Sequence, residues 1–132
     1  MEGKIKILIV DDSENECKSL KSILDAKGYQ VFTAHNASEA IASARVEPPR
    51  LILLDLFLKE GSNGVEAFKD IKKIALGVKA ILITGHSVEE TSRLLDEVWV
   101  EEGIVDEVLT KPLRVEKLIE VIEKYTKGNL NG

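Results

Sequence analysis

The hydrophobic positions of the chain form short unbroken runs that alternate with longer stretches in which apolar residues recur every three or four positions. A short run rich in β-branched residues predicts a buried strand, and a spacing of three to four residues predicts a helix with one apolar face. The predicted strands are Lys4–Val10, Tyr29–Ala34, Leu51–Leu54, Lys79–Thr84 and Ile104–Leu109. The predicted helices begin after Ser13, after Asn36 or Ser38, after Asn63, at Ser87 (continuing to Glu101) and after Pro112.

Strands and helices therefore alternate along the whole chain, which predicts an α/β fold with a parallel sheet and helices on both faces. The run Leu51–Leu54 shows no polar alternation, as is typical of a strand covered on both sides. Five strands are too few for a closed (β/α)₈ barrel. We expect a flavodoxin-like doubly wound sheet with strand order 2-1-3-4-5. Residues 1–127 would form one domain, and residues 128–132 would be a flexible C-terminal tail.

The start of the first helix carries a recognisable local signal. Ser13 can cap the helix, and Glu16, three residues later, is expected to complete a capping box. Gly28 provides the helix stop. Cys17 lies on the inner face, and we expect a buried apolar residue there rather than a reactive thiol.

Composition narrows the class of protein. The chain has 132 residues, of which 44% are hydrophobic and 31% charged, as in an ordinary soluble globular domain. A net charge of −5 argues against direct nucleic-acid binding by this domain. The single cysteine favours a reducing compartment, and no apolar run approaches the ~20 residues of a membrane span. No signal peptide is recognised at the N-terminus, so the expected location is cytoplasmic, with no membrane partner.

Polar residues stand at the ends of four predicted strands. Asp11 and Asp12 follow the first strand, Asp55 follows the third, Thr84 ends the fourth and Lys111 follows the fifth. The carboxyl ends of parallel strands meet at one edge of a sheet, and ligands of such folds bind in the crevice between the first and third strands. These five side chains are therefore expected to surround one pocket.

The residue types at this edge predict a metal-dependent phosphoryl site. Carboxylates placed close together repel each other unless a proton or a cation offsets their charge. Oxygen ligands suit Mg²⁺ or Mn²⁺ better than zinc. A carboxylate such as Asp55 can attack phosphorus and form an aspartyl phosphate. Lys111 and the cation would supply the positive charge that phosphoryl transfer requires, and Thr84 would donate a hydrogen bond.

Four segments, "ILIVDDS", "LILLDLFL", "AILITG" and "VLTKP", resemble the signature segments of the response-regulator receiver family. The resemblance extends over residues 4–127. It implies that Asp55 is the phosphoacceptor and that Asp12, Asp55 and the backbone carbonyl of Phe57 bind Mg²⁺ directly. It also implies that Asp11 holds the metal through water.

The same resemblance assigns Thr84 and Lys111 to the phosphoryl oxygens and implies a cis peptide bond before Pro112. The phosphoryl donor would be a histidine kinase or a phosphotransfer protein, and a downstream protein target would read the phosphorylated state. Such a domain is not a conventional enzyme, since it catalyses only its own phosphotransfer and autodephosphorylation. The family also suggests a homodimer through the face formed by the fourth helix, the fifth strand and the last helix.

Three positions are expected to modify this behaviour. Val108 stands where the family commonly has the tyrosine or phenylalanine that swings inward on phosphorylation, so we expect an atypical switch. Phe57 and His86 lie two residues after the acceptor and two after the threonine. These positions border the path of the hydrolytic water in the family, so both residues would tune the lifetime of the phosphate.

Two other readings stay open at this point. The chain could be a pseudo-receiver, with the same fold used as a protein interaction module and never phosphorylated. It could also be a hydrolase of the haloacid dehalogenase type, which uses an aspartate nucleophile and Mg²⁺. That class requires a second aspartate two residues after the nucleophile, where this chain has Phe57 after Asp55 and Ser13 after Asp11.

Overall fold

The computed structural model describes residues 3–55, 64–85 and 105–126 of the chain. The strands in this part of the chain are β1 (Lys6–Val10), β2 (Gln30–Ala34), β3 (Leu51–Asp55), β4 (Lys79–Thr84) and β5 (Glu107–Thr110). The helices are α1 (Glu14–Ala26), α2 (Ala37–Val46), α3 (Gly64–Ile74) and α4 (Val115–Thr126). The helix predicted from Ser87 to Glu101 lies outside the described residues, so the label α4 belongs to the helix that follows β5.

The five strands form one parallel sheet in the order β2-β1-β3-β4-β5. In β1, Val10 pairs with Ala34 of β2 on one side and with Leu54 of β3 on the other. On the far side of β3, Thr84 at the end of β4 pairs with Thr110 of β5. The predicted fold class and strand order are therefore confirmed.

Two hydrophobic clusters lie on opposite faces of this sheet. Successive residues of one strand belong to different clusters, because their side chains point to opposite faces of the sheet. Ile52 and Leu54 join the cluster covered by α2 and α3, whereas Leu51 and Leu53 join the one covered by α1 and α4. These four β3 side chains are at most 1% exposed, and each contributes ~1.5–3 kcal/mol by burial. The unbroken apolar run in the sequence follows from this burial on both faces.

Two strand boundaries differ from the sequence prediction for local reasons. The sequence pattern predicts Tyr29 in the second strand, but its N–H donates to the carbonyl of Leu24, so Tyr29 belongs to the turn that ends α1. The fifth strand begins at Glu107 rather than Ile104 and continues to Thr110. Just before it, the carboxylate of Asp106 accepts the N–H of Ala80 at 2.9 Å, where a backbone carbonyl would accept in a regular ladder.

The predicted capping box at α1 is only half formed. The Ser13 hydroxyl accepts the N–H of Glu16 at 3.2 Å, as expected of an N-cap. The backbone N–H of Ser13, however, donates to Asp11 at 2.9 Å instead of to Glu16. The expectation for Glu16 was therefore wrong, and its carboxylate instead contacts Lys111.

Within residues 3–55, 64–85 and 105–126, no helix has the length and hydrophobicity needed to cross a bilayer.

Candidate functional site

The carboxyl edge of the sheet brings the predicted residues together. Asp11 directly follows β1 and Asp55 ends β3, and these two strands are neighbours in register. Thr84 ends β4, and its carbonyl accepts the N–H of Lys111 at 2.8 Å. This backbone hydrogen bond continues the β4–β5 pairing by one step and fixes Lys111 beside the end of β4.

Three carboxyl groups form an acidic cluster at this edge. Asp11, Asp12 and Asp55 each offer an oxygen, and these oxygens all lie within 4.8 Å of one another. Asp11 is 6% exposed and Asp55 is 9% exposed, so water screens their charges poorly. An all-oxygen set of this size suits a hard divalent cation such as Mg²⁺ or Mn²⁺. The residues present therefore fit the predicted metal.

The ammonium group of Lys111 lies among the carboxylates. Its Nζ atom is 2.8 Å from Glu16, 3.5 Å from Asp11 and 3.5 Å from Asp55. The lysine side chain is 26% exposed, which leaves its end within reach of a ligand from solvent. One cation therefore faces three carboxyl groups, and the short contact to Glu16 is a charge-assisted hydrogen bond.

These contacts shift the pKa values of Asp11 and Glu16 in opposite directions. Burial, together with a hydrogen bond that the Asp11 carboxyl group donates to the Glu16 carboxylate, raises the pKa of Asp11 to about 7. The hydrogen bond from Lys111 lowers the pKa of Glu16. Burial opposes the charge of Lys111, but its bond to Glu16 and the charges of Asp55 and Asp11 outweigh burial and raise its pKa. The metal-free site thus retains a proton on Asp11 near neutral pH.

Thr84 and Val108 lie on the side of the sheet that faces α2 and α3. Thr84 is fully buried, and Leu82, two residues earlier on the same face, pairs with Val108 of β5. Val108 is half-buried and packs against the hydrophobic cluster that contains Leu82. A branched aliphatic side chain therefore occupies the position where the receiver resemblance leads one to expect a large aromatic ring.

Glu16 is the residue of this site that sequence reasoning assigned elsewhere. Its position, three residues after Ser13, matched the capping box, and that local explanation was sufficient from the sequence alone. The sequence pattern gives no signal of its contact with Lys111, because the two residues are 95 positions apart. The structure shows that a tertiary contact with Lys111 takes its carboxylate.

Two predicted site residues lie outside the described residues. The backbone carbonyl of Phe57, predicted as a metal ligand, and the side chains of Phe57 and His86, predicted to tune hydrolysis, therefore remain predictions. The peptide bond between Lys111 and Pro112 is cis, as the resemblance implied.

Cys17 borders the site without taking part in its charge network. Its thiol donates to the carbonyl oxygen of Asp11 at 3.3 Å, and burial raises its pKa to about 11. The thiol is therefore protonated at neutral pH, in agreement with a buried packing role rather than a nucleophilic one.

A cleft of about 380 Å³ extends from the site between α1 and the beginning of α4. Asp11, Glu16 and Lys111 lie at its polar end, and Leu20, Ile23 and Leu113 line its apolar part. The acidic edge is therefore open to molecules that approach along α1.

Residues 7–123 match the model of the response regulator receiver domain. Protein PilH of Pseudomonas aeruginosa is 34% identical over 125 residues, which cover 93% of this chain and 98% of PilH. A CheY-like receiver domain protein from Methanospirillum hungatei superposes with a TM-score of 0.82 at 32% identity, covering 98% of this chain and all of that one.

A response regulator from Burkholderia pseudomallei, solved with a phosphorylated aspartic acid, a calcium ion and citrate, is also similar to this chain. It superposes with a TM-score of 0.75 at 26% identity, and the match covers 96% of this chain and 75% of that chain. The chain also matches longer transcriptional regulators, of which it spans about a quarter.

Proposed function

The chain belongs to the response regulator receiver domain family, and from this premise we propose that Asp55 accepts a phosphoryl group in a reaction that requires Mg²⁺ or Mn²⁺. The supporting observation is the position of the Lys111 ammonium, 3.5 Å from the Asp55 carboxylate and next to the acidic cluster. The donor would be a histidine kinase or a phosphotransfer protein. The chain would act as a signalling domain rather than as a typical enzyme.

The proposed chemistry uses each of the clustered side chains. An oxygen of Asp55 attacks phosphorus, the new P–O bond forms, and the bond from phosphorus to the donor breaks, with the electron pair leaving on the donor. Lys111 and the Thr84 hydroxyl donate hydrogen bonds to the phosphoryl oxygens as their charge redistributes. A bound divalent cation would neutralise the carboxylates and stabilise the charge on the transferred group.

Two further observations support this role. The response regulator from Burkholderia pseudomallei carries a phosphorylated aspartic acid and a calcium ion in a fold that matches this chain. In this chain, Asp55 is 9% exposed and lies close to two other carboxyl groups and the Lys111 ammonium. That combination fits a phosphoacceptor better than a surface charge.

The readout of phosphorylation is proposed to be atypical. Val108 packs against the core beside Leu82 and cannot make the rotation that an aromatic ring makes in the family. We expect amide chemical shifts in β5 and α4 to change on phosphorylation through backbone movement near Thr84 instead. Matching amide spectra of the two states away from Asp55 would contradict this expectation, as would changes that follow the family's usual aromatic route.

The decisive experiment is incubation with acetyl phosphate and Mg²⁺ followed by measurement of the intact mass. Wild type should gain one phosphoryl group, with acetate as the leaving group, and Asp55→Asn should gain none. Removal of the metal with EDTA should abolish the gain. A wild-type protein that stays unmodified would contradict the proposal.

A non-phosphorylated interaction module is the second candidate. Its support is the direct ion pair between Glu16 and Lys111, which occupies the ammonium, together with the missing aromatic at Val108. The mass measurement separates the two functions. Self-association through the face that includes β5 and α4 also remains a prediction.

A further inference from the structure

Among residues 3–55, 64–85 and 105–126, Glu16 is the only one at the carboxyl edge that contacts Lys111 and has no role in the proposed transfer. We propose that Glu16 competes with the phosphoryl group for the Lys111 ammonium and so slows phosphorylation of Asp55, a role that rests on the proposed function. Glu16 would be a positioning residue, because it acts on the reaction through Lys111.

The local structure holds Glu16 where it can compete. The Asp11 carboxylate accepts the N–H of Ser13, and the Ser13 hydroxyl accepts the N–H of Glu16, so the first turn of α1 is tied to the end of β1. This attachment directs the Glu16 side chain towards the site. Its carboxylate is 45% exposed and can move away when a stronger partner arrives.

The distances rank the partners of the ammonium. Lys111 lies 2.8 Å from Glu16 but 3.5 Å from both Asp11 and Asp55. A divalent cation would draw on the charges of Asp11 and Asp55, whereas Glu16 is not among the predicted metal ligands. The Glu16 contact can therefore persist when the metal is bound and must weaken before Lys111 can turn fully to a phosphoryl oxygen.

Gly85 offers the aliphatic part of the Lys111 side chain no side chain to pack against. Position 85 is glycine, and a methyl group there would lie 3.9 Å from Cδ of Lys111, an ordinary packing contact. Without that contact the stem is less restrained on this side.

The test compares initial rates of phosphorylation by acetyl phosphate at saturating Mg²⁺, read from the intact mass. We expect Glu16→Gln to be faster than wild type by about two- to fivefold, the range for a partly exposed ion pair. Glu14→Gln is the matched control, because it removes the same charge from the same exposed helical turn without contacting Lys111. Its rate should equal that of wild type.

The role of Lys111 is tested by repeating the substitution in a Lys111→Met background. There Glu16→Gln should leave the slower rate unchanged, since the group through which it acts is gone. An equal or lower rate for Glu16→Gln in the wild-type background, an equal gain for Glu14→Gln, or a gain that survives Lys111→Met would each overturn the inference. In those cases wild type still gains phosphate at Asp55 and the proposed function stands, whereas an unmodified wild type overturns both.

Discussion

The two edges of the sheet differ in how their charged side chains are paired. At the amino edge, Lys6 at the start of β1 pairs with Glu47, and Lys79 at the start of β4 pairs with Asp106. The lysines of these pairs are 36% and 42% exposed, and each pair matches one cation with one anion. Both pairs are electrically balanced and partly hydrated.

At the carboxyl edge, one cation serves several anions. Asp11, Asp55 and Glu16 all face Lys111, and the side chains of the two aspartates are only 8% and 11% exposed. Excess negative charge with little water is costly, and the raised pKa of Asp11 reflects that cost. A fold has no need of such an arrangement, because the amino edge closes the same sheet with simple pairs.

This difference in charge pairing indicates that the proposed function belongs to the carboxyl edge of the sheet. A buried group of like charges is stable only when a ligand or a proton offsets the repulsion, so the carboxyl edge suits the proposed cation and phosphoryl group. The ion pairs at the amino edge need no such partner. Stability measurements should therefore respond to ligand, pH and charge removal at one edge and hardly at the other.

The largest expected effect is that of Mg²⁺ on stability. At a hundredfold excess over its Kd, a ligand that binds only the folded state raises the free energy of unfolding by about 2.7 kcal/mol. Urea denaturation with Mg²⁺ and with EDTA should show an increase of this order in wild type. Asp12→Asn should lose much of the increase at the same metal concentration, whereas Asp106→Asn should keep it. An increase that Asp12→Asn retains in full would remove the contrast between the edges.

The next effect is a pH dependence that only the carboxyl edge should show. The folded state raises the pKa of Asp11 from the ordinary 3.8 to about 7, so between these values it keeps a proton that the unfolded chain releases. Stability from this group is complete below pH ~4 and is lost as the pH rises through ~7, because the unfolded state binds fewer protons in that window. Metal-free wild type should lose about 2 kcal/mol relative to Asp11→Asn between pH 5 and pH 8. Parallel denaturation curves for the two proteins over this range would contradict the assignment.

A smaller effect, with opposite signs at the two edges, should follow removal of one charge from each. At pH 8 without metal, Asp11→Asn should raise the free energy of unfolding by about 1–2 kcal/mol, because it relieves repulsion in a buried group. Asp106→Asn should lower it by about 1 kcal/mol, because a neutral acceptor binds the N–H of Ala80 less strongly than a carboxylate does. A decrease for both variants would show that both carboxylates have structural roles.

The fold and the placement of the site followed from pattern. The unbroken run in β3 and the alternation of strands with helices determined the sheet, and polar residues at the strand ends then had to meet at one edge. Asp11, Asp12, Asp55, Thr84 and Lys111 lie together for that reason. Once the strand order is known, the residue that ends each strand determines which side chains lie together at this edge.

The remaining features depend on tertiary contacts, which the pattern of residue types along the sequence does not reveal. The spacing of Ser13 and Glu16 fits a capping box, yet Asp11 takes the N–H of Ser13 and leaves the Glu16 carboxylate for Lys111. β5 begins later than predicted because the Asp106 side chain, rather than a backbone carbonyl, accepts the N–H of Ala80. The proton on Asp11 likewise depends on burial between strands. Each outcome depends on the tertiary surroundings of the residue rather than on its neighbours in the sequence.

The smallest expected effect concerns the ion pair between Lys6 and Glu47. Both side chains are about one-third exposed, so water and salt screen their attraction and holding two long side chains together costs entropy. A double-mutant cycle with Lys6→Ala and Glu47→Ala should give a coupling free energy of about 0.5 kcal/mol or less, falling further in 0.5 M salt. Urea denaturation of the four proteins measures it. If the coupling were well above ~1 kcal/mol, the amino edge would also contain a strongly coupled charge site, and charge imbalance would no longer distinguish the functional edge of this sheet.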